Sequence, residues 1–158
     1  MSLPPTPNRE FGFTLSDVAR LLRTYANHKA AEFGMTRAQW VVLVRLDRSE
    51  GLKQCELAEI LDLQPISLTR LLDRLAANGL IERRADPNDR RANRLFLTGE
   101  ARPLLERLSA LGEDMMGTVL EGLDAKSMER LLRDLDLMKD NLRSAISRNP
   151  TPQQAVAG

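Results

Sequence analysis

The sequence is poor in the residues that most chemistry depends on. A single cysteine, Cys55, excludes a disulfide framework within the 158 residues and every multi-cysteine zinc motif. One histidine, no glycine-rich phosphate loop and no HExxH or GxSxG pattern leave an enzyme only carboxylates to work with. Those carboxylates fall at the spacing of solvated helix faces, so no catalysis, cofactor or metal site is expected. No apolar run approaches the ~20 residues that span a bilayer. The opening MSLPPTPNRE lacks the basic and apolar regions of a signal peptide, and a cytoplasmic location is expected.

Hydrophobic residues make up 42% of the chain and aromatics 4%, with Leu, Ala, Arg, Glu and Asp dominant, a composition that suits a mostly helical protein. The net charge is only +1, but its sign is separated along the sequence. Residues 64–94 carry seven Arg against four acids, 7 − 4 = +3. Residues 99–142 carry six Lys or Arg against ten acids, 6 − 10 = −4. A basic middle beside an acidic C-terminal third favours nucleic-acid contact by the middle alone.

Helical spacing begins at Thr14, with Leu15, Val18, Leu22, Tyr25 and Ala26 on one side, and Gly34 ends it. Thr36 starts a second helix with Gln39 as capping-box partner. Its apolar set, Trp40, Val41, Leu43, Val44 and Leu46, is broad enough to be sandwiched between other elements. A third helix, from about Gln54 to Leu61, buries Leu57, Ile60 and Leu61. After a short turn, Gln64 sits at a cap position and Pro65 at the first position of a fourth helix, which Gly79 stops. Leu68, Leu71, Leu72 and Leu75 face inward. Ser67, Thr69, Arg70, Asp73 and Arg74 face outward.

Strands are expected over Leu80–Arg84 and Arg94–Leu97, joined by the turn-forming Ala85-Asp86-Pro87-Asn88-Asp89. Thr98 then caps a long helix with Glu100 in its first turn, and Asp124 caps a last one. The last helix repeats apolar residues at Met128, Leu131, Leu132, Leu135, Met138, Leu142 and Ile146. That stripe needs a partner surface.

These elements predict a mainly α fold with a small β part: a winged helix-turn-helix core between N- and C-terminal dimerisation helices. The expected divisions are a flexible arm over 1–13, a first dimerisation helix over 14–35, and a DNA-binding lobe over 36–98. C-terminal dimerisation helices follow over 99–148 and a disordered tail over 149–158. Two copies would set their fourth helices on successive major-groove faces, about 34 Å apart, on an inverted repeat. Ser67, Thr69 and Arg70 are the base-edge candidates, and Arg74 a phosphate contact. Arg91 would enter the minor groove from the wing tip, with Arg90 and Arg94 as backbone contacts or struts. Asp89, an acid beside phosphate, has no such direct reading.

The words ELAEILDL, SLTRLLDRLAANGLIERR and DPNDRRANRLFLT resemble the MarR family of winged-helix regulators over residues 16–146. FGMTRAQWVVL followed by DRRA resembles its SlyA branch. Asp89-x-Arg91 followed by Leu97-Thr98 is similar to the family's wing signature. The resemblance implies an obligate, triangular homodimer on palindromic promoter DNA, usually repressing and often released by small aromatic acids or phenols. It implies an arginine partner for Asp89 that orients the wing. It also implies an effector cleft using Trp40, Arg20, Arg23 and His28, a set with an indole face for stacking and cations for a carboxylate.

Two other readings stay open. Cys55 opens the third helix, where a thiol can become reactive. Redox-sensing relatives, however, place the thiol near the first helix and support it with tyrosines, and the one tyrosine here is Tyr25. A winged helix that binds protein rather than DNA would share the fold but show weak salt dependence.

Overall fold

The computed structural model describes residues 6–149 as six helices and one hairpin. In order these are α1 (Pro7–Glu32), α2 (Arg37–Arg48), α3 (Gln54–Leu61), α4 (Pro65–Ala77), β1 (Ile81–Asp86), β2 (Asp89–Leu97), α5 (Ala101–Val119) and α6 (Ala125–Arg148). The chain divides into two compact units after Val119.

In the first unit, α1 starts at Pro7 rather than Thr14. Thr6 is its N-cap, accepting the Arg9 N–H at 3.4 Å, and Pro7 takes the first helical position, where its missing N–H costs nothing. Residues 6–13 of the expected flexible arm therefore belong to the cap and first turns. Residues 1–5 of the arm and 150–158 of the tail lie outside the described residues. The C-terminal half of α1 buries Ala26 and Ala30 against α2 and α5. Its N-terminal half exposes Phe11, Phe13, Leu15, Val18 and Leu21.

Helix α2 is sandwiched as its broad apolar surface requires, with Trp40, Val42, Leu43 and Leu46 buried. Thr36 and Gln39 form the expected capping box, the Thr36 N–H donating to Gln39 Oε1 at 2.8 Å. Beneath α4 lies a leucine floor of Leu43, Leu46, Leu57, Leu68, Leu72, Leu75 and Leu95, all essentially inaccessible. Each such side chain contributes roughly 1.5–3 kcal/mol of transfer free energy. In α3 the expectation for Ile60 fails. Ala58, not Ile60, shares the inward face with Leu57, and Ile60 stays exposed among Glu56 and Glu59.

Helix α4 ends in a Schellman motif. Leu80 N–H reaches the Leu75 carbonyl at 3.0 Å and Gly79 N–H the Ala76 carbonyl at 2.9 Å. Gly79 sits at φ +69, which favours glycine at this position. The hairpin is longer than its sequence pattern. The five-residue turn shrinks to Pro87-Asn88, and Asp86 pairs with Asp89 across it. A bulge follows, because the next pair is Ala85 with Asn93, leaving residues 90–92 unopposed on β1. Charged residues fill these strands, so the period-2 apolar signal that would mark them is missing.

Residues 51–53 lie along β2 as a short third rung. Gly51 N–H donates to the Leu95 carbonyl at 2.8 Å, and Leu95 N–H to the Leu52 carbonyl at 2.9 Å. Thr98 does not cap α5 with its side chain. Its hydroxyl donates to the Gly79 carbonyl, fastening the end of β2 to the end of α4. In the second unit, Asp124 caps α6 as expected, accepting the Ser127 N–H at 2.7 Å. No residue of α6 is buried, and Leu131, Leu132, Leu142 and Ile146 are exposed large apolar residues. Among the described residues, no helix is long and apolar enough to cross a membrane.

Candidate nucleic-acid interface

Helix α4 is fixed from below by Leu68, Leu72 and Leu75, which leaves its opposite face to solvent. Ser67, Arg70, Asp73 and Arg74 are all exposed on that face. Neither Arg70 nor Arg74 has an ion pair among the described residues. Thr69 is different. Its hydroxyl donates to the Pro65 carbonyl at 2.9 Å and accepts from Gln54 Nε2 at 2.8 Å, so it is already committed to joining α3 to α4. Ile66, absent from the sequence-based candidates, is 64% exposed beside Ser67. An apolar side chain there suits a thymine methyl group in a major groove.

The hairpin is clamped to α4 from the side. Arg83 donates to Asp73 Oδ1 at 2.7 Å and to the Thr69 carbonyl at 3.5 Å. Arg84 pairs with Glu82 and lies over the Phe96 ring, 4.2 Å from its centroid. At the tip, Arg90 and Arg91 are exposed and form no ion pair among the described residues. Two guanidinium groups without ion pairs on the bulge make the hairpin tip a concentrated positive surface.

Asp89 does not have the expected arginine partner. Its Oδ1 accepts the Arg91 backbone N–H at 3.0 Å, ordering the tip without forming an ion pair. The paired acid is Asp86, which nothing in the sequence pattern singles out. Its residue is 2% exposed. Oδ1 accepts the Asn88 N–H at 2.8 Å, and Oδ2 receives Arg94 Nε at 2.9 Å and Lys53 Nζ at 3.3 Å. The Asn88 N–H, followed by Lys53 and Arg94, holds the Asp86 carboxyl below its ordinary range against the opposing effect of burial. Arg94 is thus a strut, and its Nη1 also reaches the Gly51 carbonyl at 3.3 Å.

A separate cleft of about 440 Å³ opens between α1, α2 and α5, lined by Arg23 and Trp40 together with Arg37, Arg45 and Arg48. Two of the four effector candidates are therefore brought together and two are not. Arg20 is turned back to Asp17 at 3.1 Å, and exposed His28 lies off the cleft lining. The three additional arginines share a helical face with Trp40, a spacing that could have revealed them. Cys55 is exposed near the start of α3.

The MarR family profile matches residues 35–92, from the approach to α2 through the bulged wing. The transcriptional regulator PA3341 is 31% identical, covering 85% of this chain and 98% of its own, with a TM-score of 0.77. The chain belongs to the MarR family. Within it, a mutant MarR from E. coli, solved in complex with operator DNA, is 27% identical. That match covers 82% of this chain and 93% of the other, with a TM-score of 0.69. SlyA is 24% identical over 89% and 96% of the two chains, with a TM-score of 0.71, a likeness of fold. The family and fold of this MarR-family chain are those of transcriptional regulators rather than enzymes.

The depressed carboxyl of Asp86 has a signed consequence for acid stability. A group whose folded-state pKa is lowered stabilises the fold above its unfolded pKa of about 3.9. That contribution is lost as pH falls through the lower folded value. Asp86→Asn is therefore expected to be less stable than the parent near pH 7, with the gap closing below about pH 4. Urea melts at several pH values measure it, and a gap independent of pH would refute the assignment.

Proposed function

We propose that this chain is a DNA-binding transcriptional regulator that pairs as a homodimer on an inverted-repeat operator and acts as a repressor. The observation that carries the proposal is the pair of unpartnered arginine groups, Arg70 and Arg74 on α4 and Arg90 and Arg91 at the wing. A clamp through Arg83 and Asp73 holds α4 and the hairpin together. In this reading Ser67 and Arg70 meet base edges in the major groove, with Ile66 beside them, and Arg74 meets phosphate. Thr69 sets the position of the helix through its engaged hydroxyl. Arg91 enters an A·T-rich minor groove, Arg90 contacts the backbone, Asp89 orders the tip and Arg94 braces it. The operator-bound E. coli relative supports this class of partner. Such a protein works in the cytoplasm, beside the chromosome.

The exposed apolar residues of α1 and of α6 supply surfaces for the second copy, which covers them across a two-fold axis. The arginine-lined cleft at Trp40 takes a small aromatic acid or phenol that releases the DNA, as in the SlyA-like branch that FGMTRAQWVVL resembles. An indole against an aromatic ring and guanidinium groups on a carboxylate supply both halves of that recognition.

Arg91→Ala is expected to weaken binding to a selected operator duplex by roughly 1–3 kcal/mol without changing the dimer. In the same titrations the parent should lose affinity with salt at a log–log slope of about −0.9 per phosphate neutralised. A flat salt response would favour a protein-binding winged helix instead. Replacing both Leu131 and Leu142 by Glu should turn a sedimenting dimer into a monomer, and an unchanged dimer would refute the α6 surface. Salicylate should quench the fluorescence of Trp40, the single tryptophan, and Arg23→Ala should weaken that response. No change on salicylate addition would rule out this cleft.

A further inference from the structure

The polar contacts at the root of the wing lead, through the peptide link from Lys53 to Gln54, into helix α4. From the tip, Asn88 N–H binds Asp86 at 2.8 Å, and Asp86 binds Lys53 at 3.3 Å. Lys53 is the N-cap residue of α3, and its own N–H is held by Glu56 Oε2 at 2.8 Å. The next residue, Gln54, donates to Thr69 of α4 at 2.8 Å, and Thr69 bonds back to the Pro65 carbonyl at 2.9 Å. The hairpin by itself would need only Arg94 to neutralise Asp86. Lys53 comes from a different element, and its ammonium crosses from the helix-turn-helix to the wing.

We infer that Asp86 is a positioning residue for DNA recognition, coupling the wing to α3 through Lys53 and so setting where Arg90 and Arg91 stand relative to α4. The inference rests on the DNA-binding reading above. Its chemistry is specific to a charged acceptor. The Asp86 side chain is fully inaccessible, and two cations converge on one of its oxygens. Without the negative charge, Lys53 and Arg94 repel each other beneath the tip and the hairpin loses its fixed angle. Arg91 then spends less time where a narrow minor groove could receive it, and the loss is entropic.

The sign of the effect separates positioning from simple electrostatics. Removing an acid near phosphates should tighten DNA binding if only charge mattered. Positioning requires the opposite. The probe is a labelled duplex enriched from a randomised pool by the full-length parent protein. Asp86→Asn is expected to weaken binding to it by roughly three- to tenfold, and in an Arg91→Ala background by less than about twofold. Unchanged or tighter binding by Asp86→Asn, or an undiminished loss in the Arg91→Ala background, overturns the inference. If the parent enriches no duplex, the DNA-binding reading falls and the inference with it. If Arg91→Ala weakens binding and Asp86→Asn does not, only the inference falls. Amide hydrogen exchange on free Lys53→Met gives a second reading that needs no DNA. Faster exchange at Asn88 and Arg91, with Leu72 unchanged, is expected, and unaltered exchange at the tip overturns the coupling.

Discussion

The outward face of α4 depends on the leucine floor beneath the helix. Leu68, Leu72 and Leu75 are buried in one cluster with Leu43, Leu46 and Leu57, so desolvation holds that side of the helix. The opposite side has no part in that burial and is free to carry charge. Pro65 at the start and Gly79 at φ +69 beyond the end fix where the helix begins and stops. The face is therefore presented at a set height and rotation before any partner arrives. Preorganisation of this kind lowers the ordering cost of binding.

Charge is arranged by the same economy. Asp73 is used by Arg83, Glu82 by Arg84, and Asp86 by Lys53 and Arg94. What remains without an ion pair around the interface is Arg70, Arg74, Arg90 and Arg91, with Asp89 as the one acid among them. The segment's net charge of +3 is thus carried almost wholly by its outward, unpaired groups. Three of the four acids are held in ion pairs within the scaffold, and the outward remainder is positive.

Most of the fold was legible in the sequence. Periodicity, Thr36 with Gln39, Pro65 and Gly79 placed α2, α3 and α4 closely, because short-range capping chemistry sets those boundaries. The start of α1 was missed because its Thr-Pro opening reads equally well as a loose arm. Ile60 was misplaced because a short helix gives too few turns to fix its inward face. In the candidate site, the wing arginines and the outward face of α4 were visible from spacing. Asp86 and Asp89 were not distinguishable, since the bulge that decides which acid turns inward depends on hairpin register. The contacts with Lys53 and Gln54 join residues far apart in sequence, and one sequence carries no signal for that.

The division of work on α4 has an evolutionary consequence. Ile66, Ser67, Arg70 and Arg74 bear no packing load, and surface changes at such places usually alter stability by less than about 0.5 kcal/mol. Thr69, one turn in, is tied to both Gln54 and Pro65 and cannot change so cheaply. Under the proposed function, a lineage carrying this scaffold can therefore drift to new target sequences by single steps at Ile66, Ser67 and Arg70 while the helix stays where it is. The conserved fraction of its recognition helix would then mark geometry, and the variable fraction would mark the address.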